Sequence, residues 1–214
     1  MDEDFSIINT KTRNEKIKNF FFNNKKKFIS GIILIILFVI GGYSYDNYTT
    51  SKKKQISDNY NFTIIEYSKK NKDITANKLI EIINKKDPTY SPLSLYFIID
   101  NNLVSDQKLI NELYDVLIEQ TSMDNEIRNL VIYKKALSNA DQSTESELLN
   151  ILNPLINSES VWKSHALFLM AEYFYAKDQK QKSKEFFNKI ISLENSNPNI
   201  KSESERRLNR DLSE

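Results

Sequence analysis

Residues 28–45, FISGIILIILFVIGGYSY, carry no charged side chain. A helix over this stretch spans about 27 Å, close to the hydrocarbon thickness of a bilayer. Such a helix has no polar face to turn toward water, so it needs either a protein interior or lipid around it. The flanks favour lipid. Phe20, Phe21, Phe22 and Phe28 stand at its entrance, and Tyr43, Tyr45 and Tyr48 at its exit. Tyrosine in particular suits the headgroup boundary. A buried core helix would be amphipathic or shorter, and would not carry Lys25, Lys26 and Lys27 at its mouth. A cleaved signal peptide has a short basic region and a small-residue cleavage site. Here residues 1–27 precede the apolar run, and the exit reads GGYSYDNY with no A-x-A. The run reads as an uncleaved, single transmembrane helix.

Charge sets the expected orientation. Seven basic and four acidic residues give 1–27 a charge of +3, whereas 23 basic and 25 acidic residues give 46–214 a charge of −2. The whole-chain value of +1 conceals this asymmetry. Lys25, Lys26 and Lys27 abut the run directly, and Lys52, Lys53 and Lys54 lie farther off behind Asp46. Basic residues are retained on the cytoplasmic side, so these topology determinants predict a cytoplasmic N-terminus and a C-terminal domain across the membrane, periplasmic in a bacterium.

The three glycines, Gly31, Gly41 and Gly42, all fall in the apolar run, and 46–214 has none. Sheets need glycine in their tight turns, so the far-side domain is expected to be helical. Apolar residues recur at i, i+3, i+4 spacing, as in Ile74, Leu79, Ile82 and Ile83, in Leu109, Leu113, Val116 and Leu117, in Ile127, Leu130, Val131 and Leu137, and in Leu148, Leu149, Leu152 and Leu155. Ser91 before Pro92 reads as a helix start, and Thr144 with Glu147 and Ser202 with Glu205 read as capping boxes. Pro154 predicts a kink or an early end. The helices expected are 28–69, 73–86, 91–102, 105–120, 124–139, 143–157, 160–177, 179–194 and 200–212. The chain divides into a basic cytoplasmic tail (1–27), the membrane helix (28–45), a juxtamembrane helix continuing into the domain (46–72) and a helical repeat domain (73–214).

The repeat reading rests on a step of 35. It joins Ile82, Leu117, Leu152 and Phe187, and in a second register Lys78 (with Leu79 beside it), Leu113, Leu148 and Ser183. Loop residues Asp73, Asp106, Asp141 and Asp178 recur at a similar interval. A helix pair of this length is the tetratricopeptide (TPR) period. Residues 165–198 fit its pattern best. Leu167, Met170, Ala171 and Phe174 fill the slots of the first helix, and Ser183 and Phe187 those of the second, while Ile190 stands where a small residue is usual. The expected fold is all-α: one N-terminal transmembrane helix, then a TPR-like α-solenoid of antiparallel helix pairs, with 201–212 as a polar capping helix. A plain helical bundle is the alternative.

Composition turns the functional reading toward binding. No Cys and one His exclude disulfides, Cys-held metals, thiol catalysis and a multi-His metal centre within one chain. Three glycines leave nothing for a phosphate-cradling loop. His165 reads as a surface or groove residue. Glu145/Glu147 and Glu203/Glu205 are at i, i+2 and do not share a helix face. No cofactor, metal or nucleic-acid site is expected. The sequons at Asn47 and Asn61 are expected by chance in so Asn-rich a chain, and Lys52, Lys53 and Lys54 could touch lipid headgroups or water alone. Trp162, Phe168, Tyr173 and Tyr175 form an aromatic stretch, with a weaker parallel in Tyr90, Tyr96 and Phe97. These are either repeat core or the wall of a groove for a protein partner.

The succession of basic tail, KKKFISGIILIILFVIGGYSYDNY anchor, continuing helix and TPR-like domain resembles the ancillary SecYEG translocon subunit (YfgM-like) family. Gly41, Gly42, Tyr43 and Tyr45 stand where that family leaves the membrane. The resemblance implies a single-pass protein of the bacterial inner membrane beside the Sec translocon. Its periplasmic repeats would associate with periplasmic chaperones, the membrane-anchored prolyl isomerase among them, and with secreted chains. The alternative is a TPR scaffold for envelope assembly or division, apart from secretion.

Overall fold

The structure, a computed structural model, describes residues 2–212, with side chains from residue 13 onward. Among the described residues it is all-helical, with no strand. Two compact units meet between Gln55 and Ile56.

The first unit holds α1 (Asp2–Asn23) and the first part of α2 (Lys25–Ile65). Only Asn24 separates them. Its N–H and its side-chain amide both donate to the Phe20 carbonyl, at 3.1 and 2.9 Å. Its own carbonyl accepts from the N–H groups of Lys27 (2.9 Å) and Phe28 (3.1 Å). The expectation of helix only from Phe28 onward therefore stops short. Residues 1–27 contain no Gly and no Pro, and nothing in them breaks a helix. From 28 to 45 every side chain is exposed, Leu34 at 67% and Phe38 at 81%. This helix is long and apolar enough to cross a membrane.

The second unit begins on the last turns of α2, where Ile56 and Thr63 are buried and Tyr60 and Ile64 pack beside them, one face of the helix. α2 ends at Ile65, four residues before the expected end, because the Asn71 side chain takes over the backbone there. Its amide donates to the Glu66 carbonyl at 2.9 Å, and its oxygen accepts from the Ser68 N–H at 2.8 Å. A 3-10 turn (Lys69–Asn71) leads into α3 (Lys72–Ile83), α4 (Tyr90–Asp100), α5 (Gln107–Gln120), α6 (Asn125–Asn139), α7 (Glu145–Ile156), α8 (Lys163–Ala176), α9 (Lys180–Ser192) and α10 (Pro198–Asp211).

Side-chain oxygens start several of these helices. Asp106 accepts from Lys108 N–H, Asp124 from Glu126 N–H, and Thr144 and Glu147 form the reciprocal box anticipated from their spacing. Two other starts differ. α4 is opened by Asp87, which accepts from the N–H groups of Thr89 (2.9 Å) and Tyr90 (2.8 Å). Ser91 is instead fully buried and donates to the Ile82 carbonyl at 3.0 Å, tying α4 to α3. α10 starts at Pro198 under Asn197, which accepts from Asn199 and Ile200 N–H, so Ser202 and Glu205 lie inside the helix. Pro154 is tolerated because α7 ends at Ile156, where few backbone bonds remain to lose.

Three apolar clusters follow one another along the domain. The first joins the end of α2 with α3, α4, α5 and Val131 of α6, the second joins α6, α7 and α8, and the third joins α8, α9 and α10. Consecutive helices pack together, and second-neighbour contacts fall on α3–α5, α6–α8 and α8–α10. These second-neighbour pairs join odd-numbered helices before α6 and even-numbered ones from α6 onward. The step of 35 hides this change. Ile82, Leu117, Leu152 and Phe187 are all buried, but they lie on α3, α5, α7 and α9, which hold different places in the two halves.

Candidate functional site

The four aromatics of 162–175 do not converge on one wall. Trp162 stacks on Tyr133 of α6, with ring centroids 5.6 Å apart and planes 24° off parallel. Tyr173 packs on the same middle cluster and donates its hydroxyl to the Ser143 carbonyl at 3.0 Å. Phe168 meets Phe187 edge-on at 5.6 Å, and Tyr175 lies 4.3 Å beneath the Arg207 guanidinium, both against the last cluster. His165 sits beside the Trp162–Tyr133 stack, 5.0 Å from the indole. Burial pulls its pKa down. The weaker aromatic set also disperses. Tyr90 faces Tyr60, Phe97 faces Tyr67, and Tyr96 lies under the Lys134 ammonium with its hydroxyl pushed up to about 12 by burial. Lys25, Lys26 and Lys27 are exposed on the first turn of α2.

What does converge is a set of amides. An open cleft of about 460 Å³ lies between α5, α6 and α7, lined by Gln107, Asn111, Lys135, Asn139, Gln142, Ser143, Glu147, Asn150 and Ile151. Gln107 and Asn111 are one turn apart on the first half of α5, and Lys135 and Asn139 one turn apart at the end of α6. Asn139, 7% exposed, is the hub. Its amide donates to Asn111 Oδ1 (2.7 Å) and to the Lys135 carbonyl (2.8 Å), and its oxygen accepts from Asn111 Nδ2 (3.0 Å) and Gln107 Nε2 (3.4 Å). All four of its hydrogen-bonding positions are filled. Lys135 Nζ is held by Asp115 of α5 at 2.5 Å. Glu147 is held by the Thr144 backbone and hydroxyl, which lower its pKa. Sequence reading passed over this cleft because its signal, polar pairs at i, i+4, is common on any solvated helix. Only the packing of α5 against α6 turns those pairs toward each other.

At the C-terminal end the Arg207 guanidinium grips both oxygens of Glu172 on α8 at 2.8 Å, bonds Asp211, and covers Tyr175. This joins α10 to α8. Among the described residues no three His, Asp or Glu side chains gather as metal ligands would. No family model, curated protein or solved structure matches this chain.

Proposed function

We propose that the protein is a membrane-anchored adaptor, with α2 as a single-pass anchor and the helical domain as a TPR-like protein-binding array across the membrane. One observation carries the reading: an apolar helical stretch exposed throughout residues 28–45 is joined in one chain to a helical domain with an open cleft. Anchoring raises the local concentration of the array at its place of work, so modest contacts suffice for occupancy. Burial at Leu167, Met170, Ala171, Phe174, Ser183 and Phe187 supports the repeat assignment for α8 and α9. The basic tail supports a cytoplasmic N-terminus. On the family resemblance the site of work is the exit of the Sec translocon in the bacterial inner membrane, and the partners are periplasmic chaperones and secreted chains.

Crosslinking of the full-length protein in its native membrane, followed by identification of its neighbours, tests this. Translocon subunits, chaperones and chains in transit are expected. Neighbours confined to cell-wall enzymes would replace secretion with envelope assembly, and an absence of protein neighbours would end the adaptor reading.

A further inference from the structure

We infer that the cleft between α5, α6 and α7 holds the backbone of an extended polypeptide segment. The inference rests on the adaptor reading and names what the array grips.

The bonding capacity left over in the cleft carries the argument. Asn139 is saturated and fixes the floor. Asn111 spends one N–H and one carbonyl lone pair on Asn139, which leaves it one donor and one acceptor position. Gln107 spends its amide nitrogen on Ser138 and Asn139, so its carbonyl oxygen remains. Gln142 and Asn150 are exposed amides at the rim. Pro154 has no N–H, so the backbone carbonyl of Asn150, one turn earlier, lacks its α-helical donor. The amides of the lining therefore offer neutral donors and acceptors side by side.

Of the two charged side chains on the wall, Lys135 is paired with Asp115, and Glu147 spends one oxygen, Oε2, on the Thr144 N–H and hydroxyl. A phosphate or carboxylate ligand would find no free cation cluster. A sugar would find no aromatic ring to stack on, since none lines the cleft. A peptide backbone is neutral and alternates N–H with C=O, which is the pattern amides pair with. Recognition of this kind reads the main chain rather than side chains.

The test uses the full-length protein in detergent micelles. The probes are a fluorescein-labelled peptide of about ten Ser and Thr residues and the same peptide methylated at alternate backbone nitrogens. The unmodified peptide is expected to bind saturably and the methylated one roughly tenfold more weakly, because each methyl removes a donor. Replacing the rim amides (Gln142→Ala with Asn150→Ala) is expected to weaken the unmodified peptide to a similar degree with an unchanged unfolding temperature. Equal binding of the two peptides, no binding, indifference to the double variant, or preference for an N-acetylglucosamine oligomer would each overturn the inference. Crosslinking separates the two levels. Protein neighbours in the membrane together with a failed peptide assay would remove this cleft and leave the adaptor, whereas no neighbours would remove the adaptor itself.

Discussion

At the scale of the residue, a domain without glycine leaves any left-handed helix end to side chains that resist that conformation. Lys86, Asn102 and Asp178 adopt it, with φ of 57°, 48° and 56°. Two of the ends are complete Schellman turns. After α4 the Leu103 N–H reaches the Ile98 carbonyl (2.8 Å) and Asn102 N–H the Ile99 carbonyl (3.0 Å). After α8, Gln179 N–H reaches Phe174 (2.9 Å) and Asp178 N–H reaches Tyr175 (3.0 Å). Asn and Asp tolerate this region better than Lys does. Lys86→Gly is therefore expected to stabilise the domain by about 1 kcal/mol, and Asn102→Gly by less, read as denaturant midpoints. The reverse ranking would remove backbone strain as the cause. The step of 35 brought Asp73, Asp106, Asp141 and Asp178 together as equivalent loop residues. They are not equivalent: Asp106 caps α5, Asp178 ends α8 in the left-handed region, and Asp73 lies in the first turn of α3. A shared residue type at a shared interval does not report a shared backbone conformation.

At the scale of the element, α8 and α9 pack closely because Ala171 and Ser183, both fully buried, keep their contact thin while Phe174 and Phe187 fill it. Ala171→Leu is expected to cost about 1–3 kcal/mol by overpacking, whereas the same change at exposed Ala176 is expected to be near neutral. α10 is held differently, through Arg207. Arg207→Ala should destabilise by about 1–2 kcal/mol, and Arg207→Lys should recover little of it, since an ammonium cannot grip both oxygens of Glu172. Acid should loosen the same joint. Arg210, and then Arg207, hold the Asp211 carboxyl down at about 2, below its ordinary 3.8. A depressed carboxylate contributes stability above its ordinary value and loses it as pH falls toward the folded one. The acid-unfolding curves of the native protein and Asp211→Asn should therefore differ above pH 3.8 and converge toward pH 2. Parallel curves throughout would dismiss the contact.

The same elements show how far sequence reaches. Among the helices from α3 to α10, apolar spacing made α3, α5, α6 and α7 legible, and all eight boundaries shift by a few residues at most. Individual faces were less legible. Ile74, Ile127 and Leu137 fit the period yet are exposed at 61, 44 and 53%, while Ile132 and Ala136 are the buried residues of α6 beside Val131. Periodicity fixes a stripe on a helix, but the neighbouring helix decides which edge of the stripe is covered. The cleft was illegible for the same reason, since Asn139 becomes a hub only when α5 brings Asn111 and Gln107 to it.

At the scale of the whole molecule, two units with opposite solvent needs share one chain. Residues 28–45 expose a continuous apolar surface, and Ile56 onward buries its own. Deleting residues 1–45 is expected to release a water-soluble domain with a helical circular dichroism spectrum. A precipitating product would mean that the domain's apolar surface needs the anchor as well. The regular repeat implied by the step of 35 gives way to a change of phase between α5 and α6, and the amide cleft lies there.

In the proposed arrangement α2 displays the helical domain across the membrane from the basic tail. The chain has no Cys, so a single introduced one reports unambiguously. Intact cells carrying either Asn19→Cys or Asp141→Cys, both at exposed positions, would be treated with a maleimide that cannot cross the inner membrane. Labelling is expected at position 141 in intact cells and at position 19 only after lysis. Labelling in the opposite order, or at neither position until lysis, would contradict it.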